Sequence, residues 1–206
     1  MGTIKEKNYN KIKSLYAGGY SAKEIADKYK VSLDAVFYFL RKYNIPRRNP
    51  AECNFVKFKK KKPSFKLKSK LNEENKILKT AGIMLYWGEG SQWQGEKIVD
   101  FANSNPDMII IFLKFLRKIC GINENKLRAY LYCYDNQSPK EILKYWSKIT
   151  KIPKKQFTKP YVRKDYKKSK VGKMKNGLIH IRYYDKKLLD LIRVWIKNFI
   201  KNGSVA

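Results

Sequence analysis

Histidine occurs once, as His180, and cysteine three times, as Cys53, Cys120 and Cys133, in a chain of 206 residues. A single histidine argues against a His-rich metal site and against two-histidine or Ser-His-Asp chemistry within one chain. Three widely spaced cysteines form neither a disulfide framework nor a zinc-ligand spacing and read as ordinary thiols. Acidic residues are scarce, 17 against 47 Lys plus Arg, leaving a formal charge of +30. No apolar run approaches the ~20 residues of a membrane span, and the opening MGTIKEKNYN lacks the hydrophobic stretch of a signal peptide. The expectation is a soluble, intracellular protein. Hydrophobic residues at 43% and aromatics at 14% supply a core, which excludes a merely disordered basic tail. A folded body at +30 repels itself unless a polyanion screens it, and nucleic acid is the commonest such partner, ahead of an anionic membrane surface.

Three helical stretches open the chain. Tyr9, Ile12, Leu15 and Tyr16 keep helical spacing up to the breaker Gly18-Gly19. Ser21 with Glu24 three residues on forms a capping-box signature for a second helix over Ala22 to Tyr29. Ser32 caps a third, whose apolar stripe is Val36, Phe37 and Leu40 and which ends before Pro46. SAKEIADKYKVSLDAVFYFLRKYNIPRR resembles the helix-turn-helix of resolvases and transposases. The likeness rests on the small Ala26 at the helix crossing, on Val31 in the turn and on the basic Arg41, Lys42, Arg47 and Arg48. It implies DNA contacts from Ser32, Asp34, Ala35 and Tyr38 on the last helix, with Arg47 and Arg48 reaching phosphate or minor groove.

The chain therefore divides into an all-α domain over 1–48, a basic linker over 49–71 and a larger domain over 72–206. The linker, NPAECNFVKFKKKKPSFKLKSKL, carries two prolines, a KKKK run and no sustained period. The larger domain alternates helices and strands, a helix from Asn72 to Gly90, a strand at Lys97 to Ala102, a helix over Pro106 to Ile119 and a strand at Leu127 to Tyr134. A helix over Pro139 to Thr150, extended segments near Phe157 to Arg163 and Leu178 to Tyr184, and a helix over Lys186 to Ile200 follow. This is an α+β pattern with helices on one face of a mostly antiparallel sheet. Strand alternation assigns Arg128, Tyr130, Tyr132, Tyr134, His180, Arg182 and Tyr184 to the opposite face, where Tyr, Arg and His suit contacts with bases and phosphates.

The segment AGIMLYWGEGSQ, residues 81–92, carries the chemistry. Glu89 lies at a helix C-terminus, the negative end of the helix dipole, and needs a compensating cation there. Mg²⁺, bound by one or two carboxylates and by substrate phosphate oxygens, meets that need. GIMLYWGEGS resembles the motif of LAGLIDADG homing endonucleases in its GEG-ending form, and the likeness extends through FANSNPDMIIIFLKFL to cover roughly residues 73–200. The resemblance implies a saddle-shaped sheet over double-stranded DNA. It makes Glu89 the metal-binding acid, with Gly88 beside it. It pairs the motif helix with a second copy through Ala81, Gly82, Leu85 and Gly88, giving a Mg²⁺-dependent homodimeric endonuclease.

Secondary residues follow. Lys159 and Arg163 lie on an extended segment crossing the saddle, where Lys159 contacts or polarises phosphate. Asp100 on the first strand reads as a salt-bridge partner before a metal ligand, Trp87, Trp146 and Trp195 read as core, and Trp93 as a loop contact. Two other readings remain open: a DNA-binding regulator using the same fold without hydrolysis, and RNA binding, since net charge does not distinguish duplex from single strand.

Overall fold

The computed structural model describes residues 4–164 and 174–203. Two units carry separate hydrophobic clusters, Met1–Lys62 and Pro63–Ala206.

In the first unit, α1 (Tyr9–Ala17) ends where Gly19 takes φ +98°, a left-handed value that favours glycine. α2 (Ala22–Tyr29) begins at the expected capping box: the Glu24 N–H donates to Ser21 Oγ at 3.1 Å, and the Ser21 N–H to Glu24 Oε2 at 2.7 Å. The Lys60 ammonium adds to these bonds, and together they hold the Glu24 carboxyl down at about 2, the Ser21 backbone bond contributing most. α3 (Leu33–Lys42) starts at Ser32, whose hydroxyl accepts from the Ala35 N–H. Ile12, Ile25, Val36 and Leu40 are fully buried where the three helices meet, and Ala26 lets α2 and α3 approach.

The linker expected over 49–71 is corrected. Its first half is a helix, α4 (Pro50–Lys60), opened by a capping box of Asn49 and Glu52 with Pro50 in its first turn. Its second half belongs to the other unit. The Ser64 N–H and hydroxyl both reach Asp185 at 2.7 Å, Lys66 and Lys68 donate backbone bonds to Gly121 and Ile119, and the Tyr183 hydroxyl donates to the Ser64 carbonyl at 2.6 Å.

The second unit runs α5 (Glu73–Glu89), β1 (Val99–Asn103), α6 (Pro106–Lys114), β2 (Leu127–Tyr134), α7 (Pro139–Thr150), β3 (Tyr161–Arg163), β4 (Leu178–Tyr183) and α8 (Lys186–Asn202). α6 continues into a π-helical turn over Phe115–Ile119. The sheet order is β1-β4-β2-β3, antiparallel except for the parallel β2–β3 pair. A parallel pair needs a crossover, and α7 supplies it. Phe101, Leu127, Leu131 and Ile181 point from the sheet into a core closed by α5, α6 and α8, where Phe112 stacks on Phe101 at 4.2 Å between centroids. No described helix is long and apolar enough to cross a membrane.

Candidate nucleic-acid interface

Helix α5 has two faces of different character. Its inner face buries Gly82, Ile83 and Tyr86, and a Cβ on Gly82 would stand 2.1 Å from Phe115 Cγ. Gly82 is therefore corrected from an interface between copies to a notch for Phe115 inside the core. The outer face carries Ala81, Leu85 and Gly88, which with Met84, Met108 and Ile111 line an open hollow of about 430 Å³. Ile77, one turn upstream, is 70% exposed, and a Cβ on Gly88 would meet nothing within 4 Å. Glu89 is exposed and closes the hollow at the helix end. Trp87, expected in the core, is instead exposed, as is Trp93, whereas Trp146 and Trp195 are buried as expected.

The carbonyl end of α5 has a partner that sequence reasoning missed. Gln92 Nε2 donates to the Tyr86 carbonyl at 3.0 Å and to that of Gly90 at 3.2 Å, so an amide caps the helix. The signal was present as an amide two residues past the terminal glycine. Gly90 sits at φ −81°, and glycine is required there by closeness instead, since a Cβ would lie 2.5 Å from Tyr86. Burial pushes the Tyr86 hydroxyl up to about 12 and keeps it protonated, and it donates to the Ser91 carbonyl at 3.3 Å.

No group of three His, Cys, Asp or Glu that could hold a metal occurs among the described residues. Glu89 offers one hard oxygen ligand per chain and Gly88 only its backbone carbonyl, a set that suits Mg²⁺ when phosphate oxygens complete the shell. Lys159 does not join it. The backbone at Gly90 bridges Phe101 on β1, while Phe157, two residues before Lys159, bridges Ala129 on β2. Across the order β1-β4-β2 that is four strand spacings, roughly 19 Å. Within one chain Lys159 therefore lies well away from Glu89.

The sheet face away from the helices is a connected polar layer. Register sets Asp100 beside Arg182, Arg182 beside Arg128, His180 beside Tyr130, and Tyr132 beside Tyr161. Asp100 accepts from Arg182 Nε at 2.8 Å and lies 2.8 Å from His180 Nδ1. Burial opposes ionisation of Asp100, but the His180 bond and the charges of His180 and Arg182 outweigh it and hold the carboxyl below its ordinary value. The Arg182 guanidinium lies 4.7 Å from the Tyr130 ring centroid. Tyr132 meets Tyr130, His180 and Tyr161 at 4.9, 4.9 and 5.2 Å between centroids. Arg128 and Arg182 stand directly opposite on adjacent strands, an unfavourable pairing. It is relieved because Arg128 donates to the Asn125 and Leu127 carbonyls while Arg182 turns to Asp100. Tyr184 and Arg163 are exposed at the margins. Tyr134 is corrected: it is 6% exposed, its strand end closed by a turn in which Gln137 accepts from its backbone N–H.

In the first unit, Asp34, Tyr38, Arg41 and Lys42 are exposed along α3, Tyr38 at 62%. Ser32 and Ala35 are half-buried, and the Ser32 hydroxyl is engaged as the cap. Arg47 is exposed and stacks on Phe37 at 4.0 Å. Arg48 is corrected from a DNA contact to an internal clasp. Its guanidinium donates to the Tyr16 and Tyr20 carbonyls and stacks 4.1 Å from the Tyr16 ring. No protein-family model, curated protein or solved structure matches the chain.

Proposed function

We propose that the protein is a sequence-specific double-stranded DNA endonuclease of the LAGLIDADG type, acting as a homodimer with Mg²⁺. One observation carries the reading: α5 turns a stripe of small and apolar residues outward and ends in an exposed Glu89, next to Gly90, whose backbone bridges β1 at the border of a Tyr, Arg and His sheet face. Two copies of the stripe, facing each other across Ala81, Leu85 and Gly88, bring two Glu89 carboxylates together. Each Glu89 carboxylate would hold a Mg²⁺ ion, which when bound would supply charge neutralisation and an activated water for phosphodiester hydrolysis. Arg128, Tyr130, Tyr132, His180 and Arg182 face the groove, and Tyr38 and Arg41 of α3 extend the contacted site.

The test is selection of duplexes from a random pool in Ca²⁺ followed by Mg²⁺ addition. Wild type is expected to cut the selected duplex, while Glu89→Gln binds within about threefold of wild type and cuts at least 100-fold more slowly, the scale on which a catalytic group acts. Equal cutting by both would remove Glu89 from the chemistry. Log affinity is expected to fall with log salt at a slope of about −0.9 per phosphate neutralised. A second reading, a regulator that binds DNA without hydrolysis, is favoured by the solitary carboxylate of the motif. Specific binding with no cutting by wild type selects it.

A further inference from the structure

The first unit contains a cleft that the nuclease reading leaves unused. It encloses about 690 Å³, within the roughly 300–1,000 Å³ of small-molecule sites. Its floor is apolar, built from Ala22 of α2, Leu33 and Phe37 of α3, and Cys53 and Val56 of α4. Its rim is cationic, with Lys23, Arg47, Arg48, Lys57, Lys60 and Lys61 against the single carboxylate of Glu24. That carboxylate is already matched within the wall by the Ser21 N–H and by Lys60 Nζ at 2.9 Å. The floor is open enough to receive a body, since Leu33 is 42% exposed. Part of the rim is also fixed in place: the carbonyls of Tyr16 and Tyr20 hold Arg48, and Phe37 supports Arg47.

Charge and shape together select the occupant. A phosphate rail of duplex DNA has no apolar body to cover Leu33, Phe37 and Val56. An uncharged apolar molecule would cover them but bring no negative charge to Lys23, Arg47 and Lys57. We propose that this cleft binds a small amphipathic anion, an aromatic or short acyl body bearing one acidic group, with the body on Leu33, Phe37 and Val56 and the acid toward Lys23, Arg47 and Lys57. The proposal stands independently of the nuclease reading.

Cys53 reports on it directly. It lines the cleft and is half-buried, whereas Cys120 and Cys133 are buried. The experiment follows alkylation of the full-length folded chain by iodoacetamide, read at Cys53 by mass spectrometry, with and without 8-anilinonaphthalene-1-sulfonate as the anionic probe. N-phenyl-1-naphthylamine is its uncharged counterpart. Saturating sulfonate is expected to slow Cys53 alkylation at least tenfold, and the uncharged compound less than twofold. Lys23→Glu/Lys57→Glu is expected to abolish the protection, while Lys144→Glu/Lys148→Glu on α7, with the same change in net charge, keeps it. Each rate is read as a ratio with and without probe, so a changed intrinsic thiol reactivity cancels. Absence of protection overturns the proposal, as does equal protection by the uncharged compound or equal loss in the α7 variant. Protection by a duplex oligonucleotide without protection by the sulfonate would assign the cleft to nucleic acid instead.

Discussion

Asp100 sits between His180 and Arg182 on the sheet face, and its charge orients both. Its residue type and basic surroundings made a salt bridge legible in the sequence, but its partners were not, because they are set by the β1–β4 register and lie about eighty positions away. Asp100→Asn is expected to destabilise the second unit by about 2 kcal/mol, the scale of hydrogen bonds to a charged group, measured by urea unfolding at neutral pH. Because the folded-state carboxyl is held below its ordinary value, this contribution is present above that ordinary value and is lost as pH falls through the folded one. The wild-type advantage over Asp100→Asn is therefore expected to hold from pH 6 down to about pH 4 and to shrink as the pH falls further to 3. An advantage unchanged at pH 3 would show that charge is not its source. Arg48 was unreadable for a related reason. As one of several basic residues after α3 it looked like its neighbours, and only packing against Tyr16 and Tyr20 sets it apart.

Helices α5 and α4 show what periodicity does and does not reveal. The motif helix was found with its bounds nearly intact, since Asn72 caps it and a glycine follows it. The roles of its two internal glycines were not separable, because both lie in small-residue positions and only the π-turn at Phe115 decides which one is filled. Gly82→Ala is expected to cost about 1–3 kcal/mol through overpacking against Phe115. Gly88→Ala, with open space around it, is expected to stabilise the isolated fold by up to about 1 kcal/mol through helix propensity. Thermal melting of the two variants checks the contrast, and similar melting shifts of the same sign would contradict the packing. α4 went unseen because it buries no residue fully and so leaves no apolar stripe. Its signal was local, an Asn-x-x-Glu box with proline inside it. Asn49→Ala is expected to lower stability of the first unit by about 1 kcal/mol, checked by chemical unfolding followed through tyrosine circular dichroism.

At the scale of the whole chain, the net charge and the α+β order of elements were legible from composition and pattern alone. The boundary between units was not, because the basic stretch over 49–71 looked uniform while its halves belong to different bodies. Two clusters with no buried residue in common are expected to give two calorimetric transitions in the intact chain. Brief trypsin treatment is expected to cut first among Lys59, Lys60, Lys61 and Lys62, where α4 ends and the second unit begins. A single transition with no early cut in that run would mean that the two units fold as one.

The placement of the tryptophans gives the two bodies different optical signatures. All four indoles belong to the second unit, two exposed on either side of Glu89 and two buried in its core. Emission excited at the red edge of the absorption band is therefore silent on the first unit and on the cleft within it. Within the second unit, iodide is expected to quench Trp87 and Trp93 and to leave Trp146 and Trp195 bright, so that the quenchable fraction follows what covers the end of α5 while the remainder reports whether the core is intact.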